Sequence, residues 1–354
     1  MKKPQSILAM RILALAILFL TCDENLTDPD DAGLQELRLG TVYQGSIDEV
    51  GEVDQFLFKP SRDMYVHFVC SEAVASSEFN PDITLYDDES NARLDSEREY
   101  GTAVITNYLV QSGKRYRIQV REWSDDRTGA YTLQLREDLD DETTLLAGQE
   151  ISGEIEYVGD IDKFIIAAGN SGYYHMIVRE YTVQSEYNPD VSLIDYETNG
   201  VIDSDRSYTQ ANIVNRRLEA GLTYILRVRE WSDDQAGRYY VRYEKDPDDE
   251  ILITSPPYLY QGDVQYVGDI DRFNFTPTLG GTFRIVLEER FANSDYNPAV
   301  EIYDPTNTRL GSASAYDECT IENLNLNSGV AYTINVHEWS NDAAGGYRLT
   351  IERQ

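Results

Sequence analysis

Residues Val120 to Tyr131 read VREWSDDRTGAY, and the chain writes this string twice more, as VREWSDDQAGRY from Val228 to Tyr239 and VHEWSNDAAGGY from Val336 to Tyr347. The copies stand 108 residues apart, agree at seven of twelve positions, and contain all three Trp of the protein. Working outward, S-[ED]-[FY]-N-P begins at Ser77, Ser185 and Ser294, and G-[ED]-[VI]-D-x-F at Gly51, Gly159 and Gly268. Three strings that keep their order and spacing define three copies of one module of about 100 residues, long enough for its own core, whereas solenoid units run to roughly 20–50. The modules span residues 36–137, 145–245 and 251–354. Acidic joints separate them, Glu137 to Thr144 (EDLDDETT) and Lys245 to Glu250 (KDPDDE), and they read as short charged connectors.

Within a module, short alternating segments dominate and helical periodicity is absent. In the first copy the alternation predicts strands near 39–46, 54–59, 64–72, 82–87, 92–96, 102–110, 115–122 and 130–136, divided by turn residues at Gly51, Asn80-Pro81, Ser112-Gly113 and Gly129. Many short strands in such a length predict an all-β chain of three tandem antiparallel β-sandwiches. Along 64–72, Val66, Phe68 and Cys70 form the inner row, while Tyr65, His67 and Val69 point the other way.

These residues resemble the bacterial pre-peptidase C-terminal (PPC) domain. The resemblance rests on Gly-x-x-Asp-x-Phe at Gly51, Pro-Asp-x-x-Leu-Tyr-Asp at Pro81, Gly-x-x-Tyr-x-x-x-Val at Gly113 and Gly-x-Tyr-x-Leu at Gly129, and it extends over residues 36–354 as three copies. It implies jelly-roll-like sandwiches of the kind appended to secreted peptidases, where some assist secretion or bind substrate and some collagen-binding relatives hold calcium. The three copies take up the chain from residue 36 onward and none of them reads as a peptidase, so the resemblance implies fold and compartment and leaves catalysis without support.

The chain carries 30 Lys plus Arg against 63 Asp plus Glu, a formal charge of −33, which excludes nucleic acid as a partner because phosphate binding needs a basic stripe. Hydrophobic residues at 41% and 26 Tyr exclude a disordered acidic chain. Lys2 and Lys3 precede an apolar run, Ile12 to Leu20, too short to span a membrane, and residues 1–21 read as an export signal. Cys22 follows directly and resembles the acylated Cys of a bacterial lipobox; the alternative is a plain cleaved signal with an incidental Cys. Residues 22–35 form an acidic tether. The expectation is an exported protein of the cell envelope, on the outer surface or in the periplasm, held to a membrane through Cys22.

Parity gives the inner rows an acidic end. Glu72 and Glu122 close two of them in the first module, Glu180 and Glu230 in the second, Glu289 and Glu338 in the third. If the strands run up and down, the loops that follow emerge at one pole. Glu78, Asn80, Asp82, Asp125 and Asp126 then join Glu72 and Glu122; Glu186, Asn188, Asp190, Asp233 and Asp234 join the second pair; and Asp295, Asn297 and Asp342 join the third. Such all-oxygen sets suit Ca²⁺, one ion per module. The alternative is that the glutamates accept N–H bonds from their own loops and the aspartates cap turns.

Trp123, Trp231 and Trp339 lie on the opposite parity and read either as a stacking platform for a sugar or peptide or as packing residues. His67 and His175 occupy equivalent positions that Arg284 fills in the third copy; the exchange predicts a solvated strand face rather than a metal or acid–base role. Cys70 and Cys319 read as small buried apolar residues. Neither a G-x-S-x-G elbow nor an H-E-x-x-H pair occurs in the sequence. Three classes remain: a non-catalytic binding protein for an extracellular protein or glycan, an envelope spacer or accessory subunit of a secreted peptidase, and an enzyme whose site spans two modules.

Overall fold

The computed structural model describes residues 34–354 apart from 76, 184 and 293. The export signal, Cys22 and nearly all of the tether lie outside the described residues. In the first module the chain forms β1 (Gln35–Glu36), β2 (Val42–Ile47), β3 (Asp54–Phe58), β4 (Met64–Glu72), β5 (Pro81–Asp87), β6 (Arg93–Arg98), β7 (Thr102–Val110), β8 (Tyr116–Glu122) and β9 (Gly129–Glu137). They make two sheets, ordered β2-β9-β4-β7 and β1-β3-β8-β5-β6. The second and third modules repeat both orders, except that the second module has only an isolated bridge where β1 stands in the first, so six sheets pair into three sandwiches. Every strand predicted in the first copy is found. One pairing departs from the expected pattern: the segment that leads into each module pairs parallel to the strand of the G-[ED]-[VI]-D-x-F string. Gln35–Glu36 pairs with Phe56–Leu57, Thr144 with Ile165, and Ile251–Ile253 with Phe273–Phe275.

Alternation decides which face is dry. In β8, Tyr116, Ile118, Val120 and Glu122 are buried, and the residues between them are partly exposed. The apolar interior divides into three clusters, from Leu37 to Leu135, Leu145 to Tyr243 and Ile253 to Ile351. Cys70 and Cys319 sit in different clusters as free thiols. Each core is closed by the Tyr of the repeated string. Tyr131 stacks on Phe79 and meets Phe56 edge-on, and it lies over Gly45, where a Cβ would overlap its ring.

A β-bulge recurs where β4 meets β7. The register slips between Val66 and Phe68, so that one residue, His67, faces Thr106 and Asn107. Asn107 takes the left-handed conformation at φ 51°, as do Asn215 at 57° and Asn323 at 56° in the same bulge of the other modules. Asn tolerates that region better than most residues.

Candidate functional site

The predicted pole exists in each module. Trp123 N donates to Asn80 O, and the Phe79 side chain lies against Gly129, which brings the loop after β4 beside the loop after β8. Tyr131 donates to Asp54 at the same end. The glutamates there bond to their own loops. Glu72 Oε2 accepts from Ser77 N at 2.8 Å and Ser77 Oγ at 2.9 Å, and Glu180 accepts from the same two groups of Ser185. Glu289 accepts from Ser294 Oγ. Glu122 Oε2 accepts from Ser124 N and Asp126 N, Glu230 Oε2 from Ser232 N and Asp234 N, and Glu338 Oε2 from Asp342 N. Burial alone would raise the carboxyl of Glu338; the amides of Ser340 and Asp342 and the Asn297 side chain outweigh it and hold the group below its ordinary value.

In the first two modules aspartates of the pole are engaged with arginines. Asp82 pairs with Arg121 at 2.9 Å, and Arg121 reaches Asp125; Asp190, Arg229 and Asp233 repeat the chain. Glu78 pairs with Arg127, which also reaches Asp126. Asn188 donates to Glu186 O and to Glu230 Oε1. In the third module Asp295, Asn297 and Asp342 line an open cleft. The glutamates of the pole, with Asp82 and Asp190, thus hold their own loops and strands together.

The tryptophans form a repeated corner. Trp123 packs against Tyr100 with ring centroids 5.2 Å apart and carries Arg98 on its face at 5.0 Å. Trp231 does the same with Tyr208 and Arg206, and Trp339 meets Tyr316 edge-on. Tyr100, Tyr208 and Tyr316 are 73%, 71% and 72% exposed. Arg98 also lines a polar groove with Asp82, Arg93 and Arg121, and Arg206 lines its counterpart with Asp190, Arg227 and Arg229.

The expectation for the histidines is overturned. His67 and His175 are each 1% exposed. They do point away from their own cores, but the next module and its connector cover that face. At the first joint, Asp138 Oδ1 accepts from Asp140 N and Asp141 N and folds the connector, while Oδ2 stands 3.6 Å from His67 Nε2. Glu156 Oε2, from the second module, stands 4.0 Å from the same nitrogen. Asp160 accepts from the bulge residue Asn107 across the joint. At the second joint His175 Nε2 lies 3.5 Å from Asp246 Oδ2 and 3.7 Å from Asp269 Oδ1. Asn215 bridges again, donating to Gly268 O and accepting from Ile270 N and Arg272 Nη1. The connectors, read from the sequence as short and charged, bury Asp138, Asp246, Asp248 and Asp249.

Both joints share one plan. Tyr157 and Tyr266 pack on His67 and His175 with centroids 5.1 Å apart in each case. Lys163 lies over Tyr65 and 3.8 Å from Asp141; Arg272 lies over Tyr173 and 2.9 Å from Asp249. Crowded, buried carboxylates resist ionisation. Burial, then the charge of Asp160, pushes Asp138 up to about 6, and burial with the hydrogen bond to Asp160 pushes Glu156 up to about 9. Burial, then Asp160, raises Asp162 to about 10; Asp269 rises to about 6 through burial, with Asp246 adding to it. Burial lowers His67, whereas at His175 burial is outweighed by Asp246 and Asp269 and the net shift is upward. His67 with Asp138, Glu156 and Asp160, and His175 with Asp246 and Asp269, are groups of donors that could hold a metal ion. The detectable signal was the recurrence of D-x-D-D at Asp138 and Asp246, read together with the paired histidines.

No protein-family model matches the chain, and no curated protein matches it. Solved structures similar to it include the pre-peptidase C-terminal domain of collagenase from Bacillus anthracis, 15% identical over 29% of this chain and 93% of that one, with a TM-score of 0.25. Tripeptidyl peptidase 2 is 10% identical over 90% of this chain and 32% of its own, at a TM-score of 0.24. A chain from a structure described as the triple jelly roll fold and turret assembly in an archaeal virus is 9% identical over 89% of each chain, at a TM-score of 0.20.

Proposed function

We propose that the chain is an exported, non-catalytic binding protein, anchored in the cell envelope through Cys22, whose three PPC-like modules capture an extracellular protein or glycan. The observation that carries the reading is the corner of a Trp beside a Tyr more than two-thirds exposed, present in every module. An amphipathic ring held against its neighbour in the turns at the sheet ends offers stacking area at low conformational cost. The arginines and aspartates of the adjoining grooves supply directional hydrogen bonds. Three such corners on one chain raise effective concentration without any new contact.

The experiment is a glycan and matrix-protein array probed in calcium and in chelator, the calcium arm serving the oxygen-rich loop pole. Capture is expected, and it is lost when Trp123, Trp231 and Trp339 are replaced together by Ala while the circular dichroism stays that of a β protein. A second reading, an envelope spacer, is favoured by the buried, similarly built joints, which suit fixed spacing. No capture in either arm would replace the first reading by the second, and turnover by the purified protein would displace both.

A further inference from the structure

The two imidazoles at the joints are nearly inaccessible, and neither ring nitrogen of either one has a hydrogen-bond partner. Asp138 Oδ2, Glu156 Oε2 and Asp246 Oδ2 are likewise buried without a hydrogen-bond partner, and all of them face the histidine. Leaving so many polar atoms dry and unpaired costs free energy at each one. The separations of 3.5–4.0 Å from His Nε2 to the carboxylate oxygens are too long for good hydrogen bonds. They are close to the spacing of ligands that share one ion, since tetrahedral donors at about 2.0–2.1 Å from a metal stand roughly 3.3–3.4 Å from one another. In the first joint the four donor atoms lie within 4.8 Å of one another, and the three of the second do so as well.

The donor type selects the ion. Calcium takes oxygen alone, whereas an imidazole beside two or three carboxylates suits zinc and its neighbours in the first transition row. We propose that each joint binds one dication of the zinc class, through His67, Asp138, Glu156 and Asp160 at the first and through His175, Asp246 and Asp269, with one position left to water, at the second. Each ion is held by three parts of the chain: a bulged strand of one module, the connector, and the turn that opens the next module. Metal binding and module docking are therefore one equilibrium. The third module gives the contrast: its bulge places Arg284 at this position, paired with Glu322 and Glu352 and partly exposed, and among the described residues no module covers it. The proposal does not depend on any ligand of the aromatic corners.

The test is calorimetric titration of the chelator-treated protein with Zn²⁺ alone, expected to give two sites per chain that excess Ca²⁺ does not displace. His67→Gln and His175→Gln each remove one site, and the double variant removes both. Glu156→Gln weakens the first site only and keeps the histidine in place, which covers the case in which a His variant misfolds. Co²⁺ in place of Zn²⁺ is expected to give the visible absorption of an imidazole-ligated tetrahedral ion, halved in each single His variant. Absence of Zn²⁺ binding by the folded protein, a stoichiometry unchanged by both His substitutions, or displacement by Ca²⁺ would overturn the proposal.

Discussion

The residue that sets each core is the Tyr at the end of the repeated string. Tyr131, Tyr239 and Tyr347 are fully buried, and all three stand against an Asp: Tyr131 and Tyr239 donate to Asp54 and Asp162, and Tyr347 lies beside Asp271. Burial first, and the neighbouring carboxylate with it, raises all three phenols far above their ordinary value. The folded state thus holds these protons more tightly than the unfolded chain does. Stability from this source is intact below about pH 10, the value of a free phenol, and drains away as the pH rises above it. A spectrophotometric titration followed alongside circular dichroism tests this. The buried set ionises only together with loss of the β signal; smooth titration of all 26 Tyr with the fold intact would contradict the assignment.

At the scale of the strand, the acidic row ends show why sequence parity is informative and where it stops. Alternation placed Glu122, Glu230 and Glu338 on the dry face, and each is 1% exposed. What alternation cannot give is the partner, because a loop's backbone amides carry no side-chain signature. Glu230 accepts from Ser232 N, Asp234 N and Asn188 Nδ2, so it ties the end of its strand to both loops of the pole. Glu230→Ala strands those donors in a part-buried setting, and the expected loss is about 1–3 kcal/mol in urea denaturation. Glu230→Gln keeps one acceptor and costs less. Faster amide exchange at Ser232 and Asp234, with the core strands unchanged, would mark the loss as local.

At the scale of the molecule, three sandwiches were legible because each repeats its pattern, whereas the joints were not, because a joint belongs to no single copy. Parity correctly turned His67 away from its own core, but the identity of what covers that face comes from residues about 90 positions further on, such as Tyr157 and Asp160. The exchange of His for Arg284 suggested a solvated face, yet His67 and His175 are buried at joints; Arg284 is partly exposed, and among the described residues no further module covers it. The cation of the joint offers a test of that view. Arg272 stacks on Tyr173 of the second module, bonds Asp249 of the connector at 2.9 Å and reaches Asn215 Oδ1 at 3.0 Å, so one side chain holds three segments. Burial, eased by Arg272, leaves Asp249 up at about 7, and removing the guanidinium takes away the charge that favours its ionised form. Arg272→Ala is expected to cost about 3 kcal/mol at the second joint while the three cores stay folded, because no core residue is touched. A protease should then cut within residues 245–250 and release the third module, with residues 137–144 still protected. Equal cutting at both connectors, or at neither, would show that the joints are not held by the clamps described.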